Sequence, residues 1–312
     1  MARDSRWRSL GSVTVGGVEL STPFMTASGT AGHDTELSAY MDLASLGAVV
    51  VKSLHHGPWA GNPAPRVHVA GDGMINAVGL EGPGVKAWCA ESLPRMENAG
   101  VTTVVSIWGR GVGEYAEAAA LLAPHAHRFA AVEINLSCPN LEGRNSIFAH
   151  DAVLSAEVVS AVRGQLGIPV WAKLSANTDR IVDVAASVTG AGAGAVTLVN
   201  TMLGMQIDTS TGRPSLGNGG GGLSGPGIHP IAVRAVFDVA RELPGVDIIG
   251  VGGVSTGADA VEMMMAGARA VQVGTATFAR PDATARVRDE AARIVSARGC
   301  SSWAGVHRLA QG

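Results

Sequence analysis

The ten residues Ala131-Val-Glu-Ile-Asn-Leu-Ser-Cys-Pro-Asn140 place a thiol among amides and a hydroxyl directly after a β-branched apolar run. The first half is patterned as a buried strand, and the second half, stopped by Pro139, carries Asn135, Ser137, Cys138 and Asn140. A strand that ends in such groups looks like the floor of an active site. A lone cysteine is most often a small buried side chain, so the argument turns on what accompanies Cys138 elsewhere.

Three further groups accompany it. Only three of the 23 basic residues are lysines, and Lys52 and Lys173 each close an apolar run; a lysine in a barrel mouth is costly unless it meets an anion or an electron-rich ligand. Asn76, Asn135, Asn140 and Asn200, with Thr201, fall in or just before loops that follow strands, and a ring of neutral donors and acceptors suits a small planar ligand with imide and carbonyl edges. Gly250-Val-Gly252-Gly253-Val-Ser255 and Gly274-Thr275 follow the last two strands, where glycine lets backbone N–H groups approach a phosphate, and Ser224-Gly225 could add a donor. Metal binding draws no support: His55 and His56 are adjacent, so their side chains should diverge, and neither His-Glu-x-x-His nor Cys-x-x-Cys occurs. Gly217-Asn-Gly-Gly-Gly-Gly222 matches Gly-x-Gly-x-x-Gly but neither follows a strand nor opens a helix, so it reads as a flexible loop.

The elements that must position these groups alternate along the chain. Strands are expected at Thr22–Ala27, Ala48–Ser53, Thr102–Ser106, Ala130–Asn135, Pro169–Leu174, Ala195–Val199, Asp247–Gly250 and Ala270–Gly274. Helices are expected at Glu36–Leu46, Val85–Ala99, Glu114–Ala123, Ala152–Leu166, Arg180–Thr189, Pro230–Leu243, Ala258–Ala266 and Ala283–Ser296. Eight βα units predict a parallel (β/α)8 TIM barrel with its site at the carboxyl ends of the strands. The whole chain, 1–312, reads as one barrel domain with 1–21 as a lead-in segment. The loops Leu54–Gly84, Ser137–His150 and Asn200–Gly227 exceed the usual connection length and are candidates to cover the site.

Composition bounds the function. With 312 residues, 46% hydrophobic and 16% charged, the chain can build a large core, and a formal charge of −3 offers no basic stripe for nucleic acid. Three scattered cysteines make neither a disulfide framework nor an iron–sulfur site, which suits a reducing cytoplasm. No signal peptide or membrane helix is expected from the charged N-terminus.

Taken together, residues 132–140, Gly-Met-Ile-Asn-Ala-Val-Gly-Leu (73–80), Asn-Thr-Met-Leu-Gly-Met-Gln-Ile-Asp (200–208), Gly-Gly-Leu-Ser-Gly-Pro (221–226) and Gly-Val-Gly-Gly-Val (250–254) resemble class 1 dihydroorotate dehydrogenases. Asn76-Ala77 and Asn200-Thr201 look most like the 1B catalytic subunit. The resemblance implies FMN-dependent oxidation of dihydroorotate to orotate in pyrimidine biosynthesis, with Cys138 as general base. It implies a substrate site of Lys52, Asn76, Ala77, Val78, Gly79, Leu80, Asn135, Asn140, Asn200 and Thr201. It implies FMN contacts from Ala27, Ser28, Lys52, Ser53, Ser106, Asn135, Lys173, Val199, Gly225, Gly252, Gly253, Gly274 and Thr275, with Lys173 favouring the anionic reduced flavin. A homodimer and a partner subunit carrying FAD and an iron–sulfur cluster are also implied. Two positions depart from the family pattern: Ser106 stands where Asn is usual, and Leu80-Glu-Gly82-Pro-Gly84 replaces Leu-x-Asn-Pro-Gly. Alternatives are an FMN barrel acting on another dihydropyrimidine or an enone, and a phosphate-binding barrel without redox chemistry.

Overall fold

Residues 5–137, 139–140 and 146–312 are described by the computed structural model. Cys138 and residues 141–145 lie outside them, as do the side chains of Pro139, Asn140, Ser146 and Ile147.

The eight expected strands form, as β1 (Phe24–Thr26), β2 (Val49–Val50), β3 (Thr103–Ile107), β4 (Ala131–Asn135), β5 (Val170–Lys173), β6 (Ala195–Leu198), β7 (Asp247–Val251) and β8 (Ala270–Val273). They pair in parallel in the order β1-β8-β7-β6-β5-β4-β3-β2, and a parallel bridge between Met25 and Ala48 closes the ring. Helices α1 (Val85–Asn98), α2 (Val112–Leu122), α3 (Ala152–Arg163), α4 (Ile181–Gly190), α5 (His229–Glu242), α6 (Gly257–Ala266) and α7 (Ala283–Ala297) surround it. Each helix buries one stripe: in α5 this is His229, Ala232, Ala235, Val236, Val239 and Ala240, the three-and-four spacing of an amphipathic helix.

Strand periodicity sorts side chains into two environments. Val132 and Ile134 of β4 join the core beneath the helices, while Ala131, Glu133 and Asn135 alternate with them on the other face. On that inner face the lower layer is apolar, with Met25, Val50, Val104, Trp171 and Ile249 packed together. An N-terminal hairpin, Val13–Val15 paired with Val18–Leu20, adds Val15, Val18 and Leu20 and plugs the bottom of the barrel. Its two-residue turn, Gly16-Gly17, has φ of +55° and +82°, as the tight hairpin turn requires. A Cβ on Gly16 would lie 2.3 Å from Trp171 Nε1, so glycine is also demanded by the close approach of the turn to the indole.

Two expectations are corrected. Glu36–Leu46 is not one helix but two 3-10 turns, Glu36–Ala39 and Leu43–Ser45. Asp42 accepts a hydrogen bond from the Ala44 backbone and its carbonyl takes the Ser45 hydroxyl, so short polar side chains capture the backbone that a continuous helix would need. The long loops expected to cover the site carry a sheet of their own, in which Val67–Ala70, Gly73–Asn76, Gly221–Ser224 and Met202–Gly204 form four antiparallel strands over the barrel mouth. Gly221 and Gly222, read as part of a flexible loop, lie inside it. A Cβ on Gly222 would sit 2.2 Å from Thr201 Oγ1, so the glycine there serves tight packing rather than mobility.

Candidate active site

Between the strand ends and this covering sheet lies a cavity of about 710 Å³. Of the residues singled out in the sequence, Lys52, Asn76, Ala77, Val78, Gly79, Leu80, Asn135, Asn200 and Thr201 line one side of it. Leu80 is held at φ +60°, a conformation non-glycine residues rarely adopt and one that clusters at functional sites. Ala27, Ser28, Ser53, Lys173, Val199, Gly225, Gly252, Gly253, Gly274 and Thr275 line the remainder. Cys138 lies outside the described residues. Asn140 is described only through its backbone, which pairs with Ser146.

Asn135 is the hub of the polar wall. Its Nδ2 donates to Ser53 Oγ (3.3 Å), and its Oδ1 accepts from Asn200 Nδ2 (3.1 Å) and from the Ser137 backbone (3.2 Å). Its own carbonyl takes the hydroxyl of the buried Tyr115 (2.7 Å), which locks the strand end. Ser53 in turn shares hydrogen bonds with Ser28 (3.1 Å) and Ser106 (2.8 Å). Ser106 is fully buried against Ser53 and is not among the residues that line the cavity. Gly82, the other departure, is also off the wall, bridged to Trp59 by paired 2.9 Å backbone hydrogen bonds.

Two lysines face the cavity. Burial pulls Lys52 below the ordinary lysine range, with Glu81 opposing and Arg66 reinforcing the change. Lys173 is pulled down by deeper burial and held up by Glu133, whose Oε1 lies 3.9 Å from Nζ. Burial thus disfavours the charged form of both, which makes an anionic or electron-rich ligand a favourable neighbour.

Opposite the amides, Gly225, Gly252 and Gly253 have φ of +104°, +129° and +68°. A Cβ on Gly253 would meet His229 Cβ at 2.7 Å and the Gly225 carbonyl at 2.9 Å. Backbone of this shape presents amides in a concave turn, the form that accepts a phosphate. Beside it Thr275 Oγ1 donates to Ser224 Oγ (2.7 Å), so Ser224 belongs to the same wall.

Sequence reasoning missed Ser175 and Asn177. Asn177 donates to the Thr201 carbonyl (2.9 Å) and accepts from the Leu203 backbone (2.8 Å), tying the loop after β5 to the cover. The signal was the polar Ser-Ala-Asn directly after Lys173-Leu174. Val67, Leu203 and Phe278, also unforeseen, form an apolar lip at the cavity and remain largely exposed.

The argument against His55 and His56 also needs correction. Their rings stack 4.0 Å apart, and their nitrogens and a Glu114 oxygen lie within 4.8 Å of one another. The chain turns between them, so strand and helix geometry do not apply. Glu114 is already engaged: Arg110 donates to it from its backbone and guanidinium, and His55 Nε2 is 3.1 Å away. Burial pushes its carboxyl up, but the hydrogen bonds from Arg110 and His55 outweigh this and hold it at about 2.

A closed βα ring with its polar groups, two lysines and a glycine cradle gathered at the strand ends defines a (β/α)8 barrel of the ligand-binding, catalytic kind. The comparisons narrow the class. The sequence matches the Dihydroorotate dehydrogenase family over residues 11–295, and the chain belongs to that family. It is 46% identical to a Desulforudis audaxviator protein named dihydroorotate dehydrogenase B (NAD(+)), catalytic subunit, over 92% of this chain and 93% of the relative. Proteins of the same name from Geobacter sulfurreducens (43%) and Trichlorobacter lovleyi (41%) each match 92% of this chain and 94% of their own length. No described helix is long and apolar enough to cross a membrane.

Proposed function

We propose that this chain oxidises dihydroorotate to orotate with FMN as its cofactor, the whole chain acting as one barrel domain. The observation that carries the reading is the cavity itself, which Asn76, Asn135 and Asn200, the glycine turn at Gly252 and Gly253, and Lys52 and Lys173 line together. The fit to FMN rests on these donors: the turn at Gly252 and Gly253 has the concave backbone a phosphate needs, and Lys173 offers a cation at the cavity floor. FMN, when bound, supplies the acceptor for the hydride that leaves C6 of the substrate.

The chain's own residues do the remaining work. Lys52 pairs with the substrate carboxylate, and Asn76, Asn135 and Asn200 meet the edges of the pyrimidine. Cys138, as thiolate, takes the C5 proton. A thiol of ordinary pKa, about 8.5, is suited to this above neutral pH. The covering sheet over the mouth excludes water from the exchange.

The B-type relatives are named as catalytic subunits with NAD(+) in their title. By that likeness we infer that electrons leave this chain for a partner subunit bearing FAD and an iron–sulfur cluster, and that the chain forms a homodimer. The exposed apolar lip of Val67, Leu203 and Phe278 supports a protein neighbour close to the site.

The test is anaerobic visible absorbance of the purified chain before and after adding dihydroorotate. A bound flavin that bleaches is the expected result; a yellow protein that stays yellow overturns the substrate, and a colourless one that takes up no FMN overturns the cofactor.

A further inference from the structure

One charged group in the barrel has no place in the reaction just described. Glu133 is fully buried in the middle of β4 and does not reach the cavity wall. One of its oxygens, Oε2, accepts from Thr197 Oγ1 of β6 (2.9 Å) and from Gln272 Nε2 of β8 (2.7 Å). The other, Oε1, has no hydrogen-bond donor among the described residues and lies 3.9 Å from Lys173 Nζ. Two side-chain donors thus meet one carboxylate oxygen and the other is left facing the lysine, the pairing with a cation that a buried carboxylate requires.

The register shows how the pair is stacked. Glu133 lies level with Trp171, while Lys173, two residues further along β5, lies level with Asn135. The carboxylate therefore sits one layer below the ammonium, between the apolar plug and the cavity. Other neighbours of Lys173 are neutral: Asn135 on β4 and Thr197 on β6. Glu133 is the one charged group acting on it among the described residues, whereas Lys52 answers to Glu81 and Arg66.

We propose that Glu133 is a positioning residue whose buried carboxylate keeps Lys173 an ammonium aimed at the ligand from below. Without it, burial would drive the lysine to its neutral form, which cannot balance negative charge arising on a bound cofactor. The pairing stands on geometry alone; its meaning for catalysis rests on the redox reading above.

The chain has only three lysines, Lys52, Lys86 and Lys173, so the test can observe Lys173 directly. Protein labelled with 13C at lysine Cε, purified with whatever flavin it carries, is titrated by NMR, and the three signals are assigned with Lys→Arg variants. In the wild type the Lys173 signal should keep its ammonium position through neutral and mildly alkaline pH. Glu133→Gln should lower its midpoint by about one pH unit or more, with Lys86 unmoved. Glu133→Asp, which keeps the charge but withdraws it, should give a smaller drop and serves if the Gln variant does not fold. A Lys173 midpoint that is the same in wild type and variant overturns the proposal. In flavin-loaded protein, Glu133→Gln should also steepen the pH dependence of the midpoint potential beyond that of the wild type over the range in which its Lys173 titrates, because reduction would then draw a further proton onto the lysine. Wild-type protein that takes up no flavin overturns the redox reading, while the lysine titration still decides this one.

Discussion

The two ends of the barrel are built from the same eight strands and solve opposite problems. At the bottom, Val15, Val18 and Leu20 of the hairpin pack with Trp171 and Ile249 in one apolar layer, the indole N–H is satisfied by the Gly16 carbonyl (3.2 Å), and the Gly16 N–H donates to the Asp247 carboxylate (2.8 Å). At the mouth, the same strands end in Lys52, Asn135, Lys173 and Asn200, and a buried Ser137 Oγ has no hydrogen-bond partner among the described residues. One end is an apolar layer, and the other gathers the polar groups around a cavity. The lesson is that stability and chemistry are segregated along one strand, often two residues apart: Trp171 serves the plug and Lys173 the site.

That segregation makes the first prediction the largest in energy. Trp171→Ala should open a cavity against the hairpin and cost about 3–5 kcal/mol of unfolding free energy in denaturant titrations, while the protein that remains folded binds cofactor as before. A loss of binding out of proportion to the loss of folded protein would show the two ends to be coupled. The mirror experiment is at the mouth. Cys138→Ser should slow substrate reduction of the flavin about 10²-fold or more in stopped-flow traces, with an unchanged denaturation midpoint. Equal rates in variant and wild type would remove Cys138 from the reaction.

The same contrast explains what could be read from the sequence. The staves were legible because a buried parallel strand is a continuous apolar run and the helices between them carry one apolar stripe. Asn135, Lys52 and Lys173 were legible as polar residues where such runs stop. The cover was not, because its strands are short and glycine-bearing and their partners are far apart in the chain: Asn76 pairs with Gly222. No local pattern encodes a pairing across such a separation. Ser106 shows a subtler limit. Its place near a strand end does not say which side chain it meets, and that it lies buried against Ser53 is visible only in the fold. Glu133 was hidden for a similar reason, since only the closed ring reveals that it faces inward beneath a lysine.

A third test asks whether charge at the rim behaves like charge in the site. Glu114, at the start of α2, is held at about 2 by Arg110 and His55 and is not among the residues that line the cavity. A carboxyl depressed in the folded state stabilises above its unfolded pKa of about 4.3, and that contribution is lost as pH falls toward 2. Glu114→Gln should therefore cost about 2 kcal/mol at neutral pH, allowing for partial solvent screening. The gap from wild type should shrink by about half by pH 3. A gap that stays constant with pH would mean that packing, and not ionisation, sets its size.

The smallest expected effect is also the one that tests most finely where stability ends and the site begins. Thr256 caps α6: its side chain accepts from the Asp259 backbone (3.3 Å), and Asp259 returns a hydrogen bond from the Thr256 backbone (2.8 Å) and takes another from Ser255 (2.8 Å). The box therefore fixes the end of the loop that begins at Gly252 and Gly253. Thr256→Ala should cost about 1 kcal/mol of stability, as for other lost caps. A cap anywhere else on the barrel would do no more. Here the loop it anchors is the one proposed to hold the phosphate, so FMN affinity measured by fluorescence quenching should fall by a few-fold as well, whereas Asp42→Ala, which removes the cap of the Leu43–Ser45 turn away from the cavity, should leave it unchanged. If both substitutions lower stability and neither alters FMN binding, the glycine turn holds its shape without the helix, and the division between the two ends of the barrel extends to this loop as well.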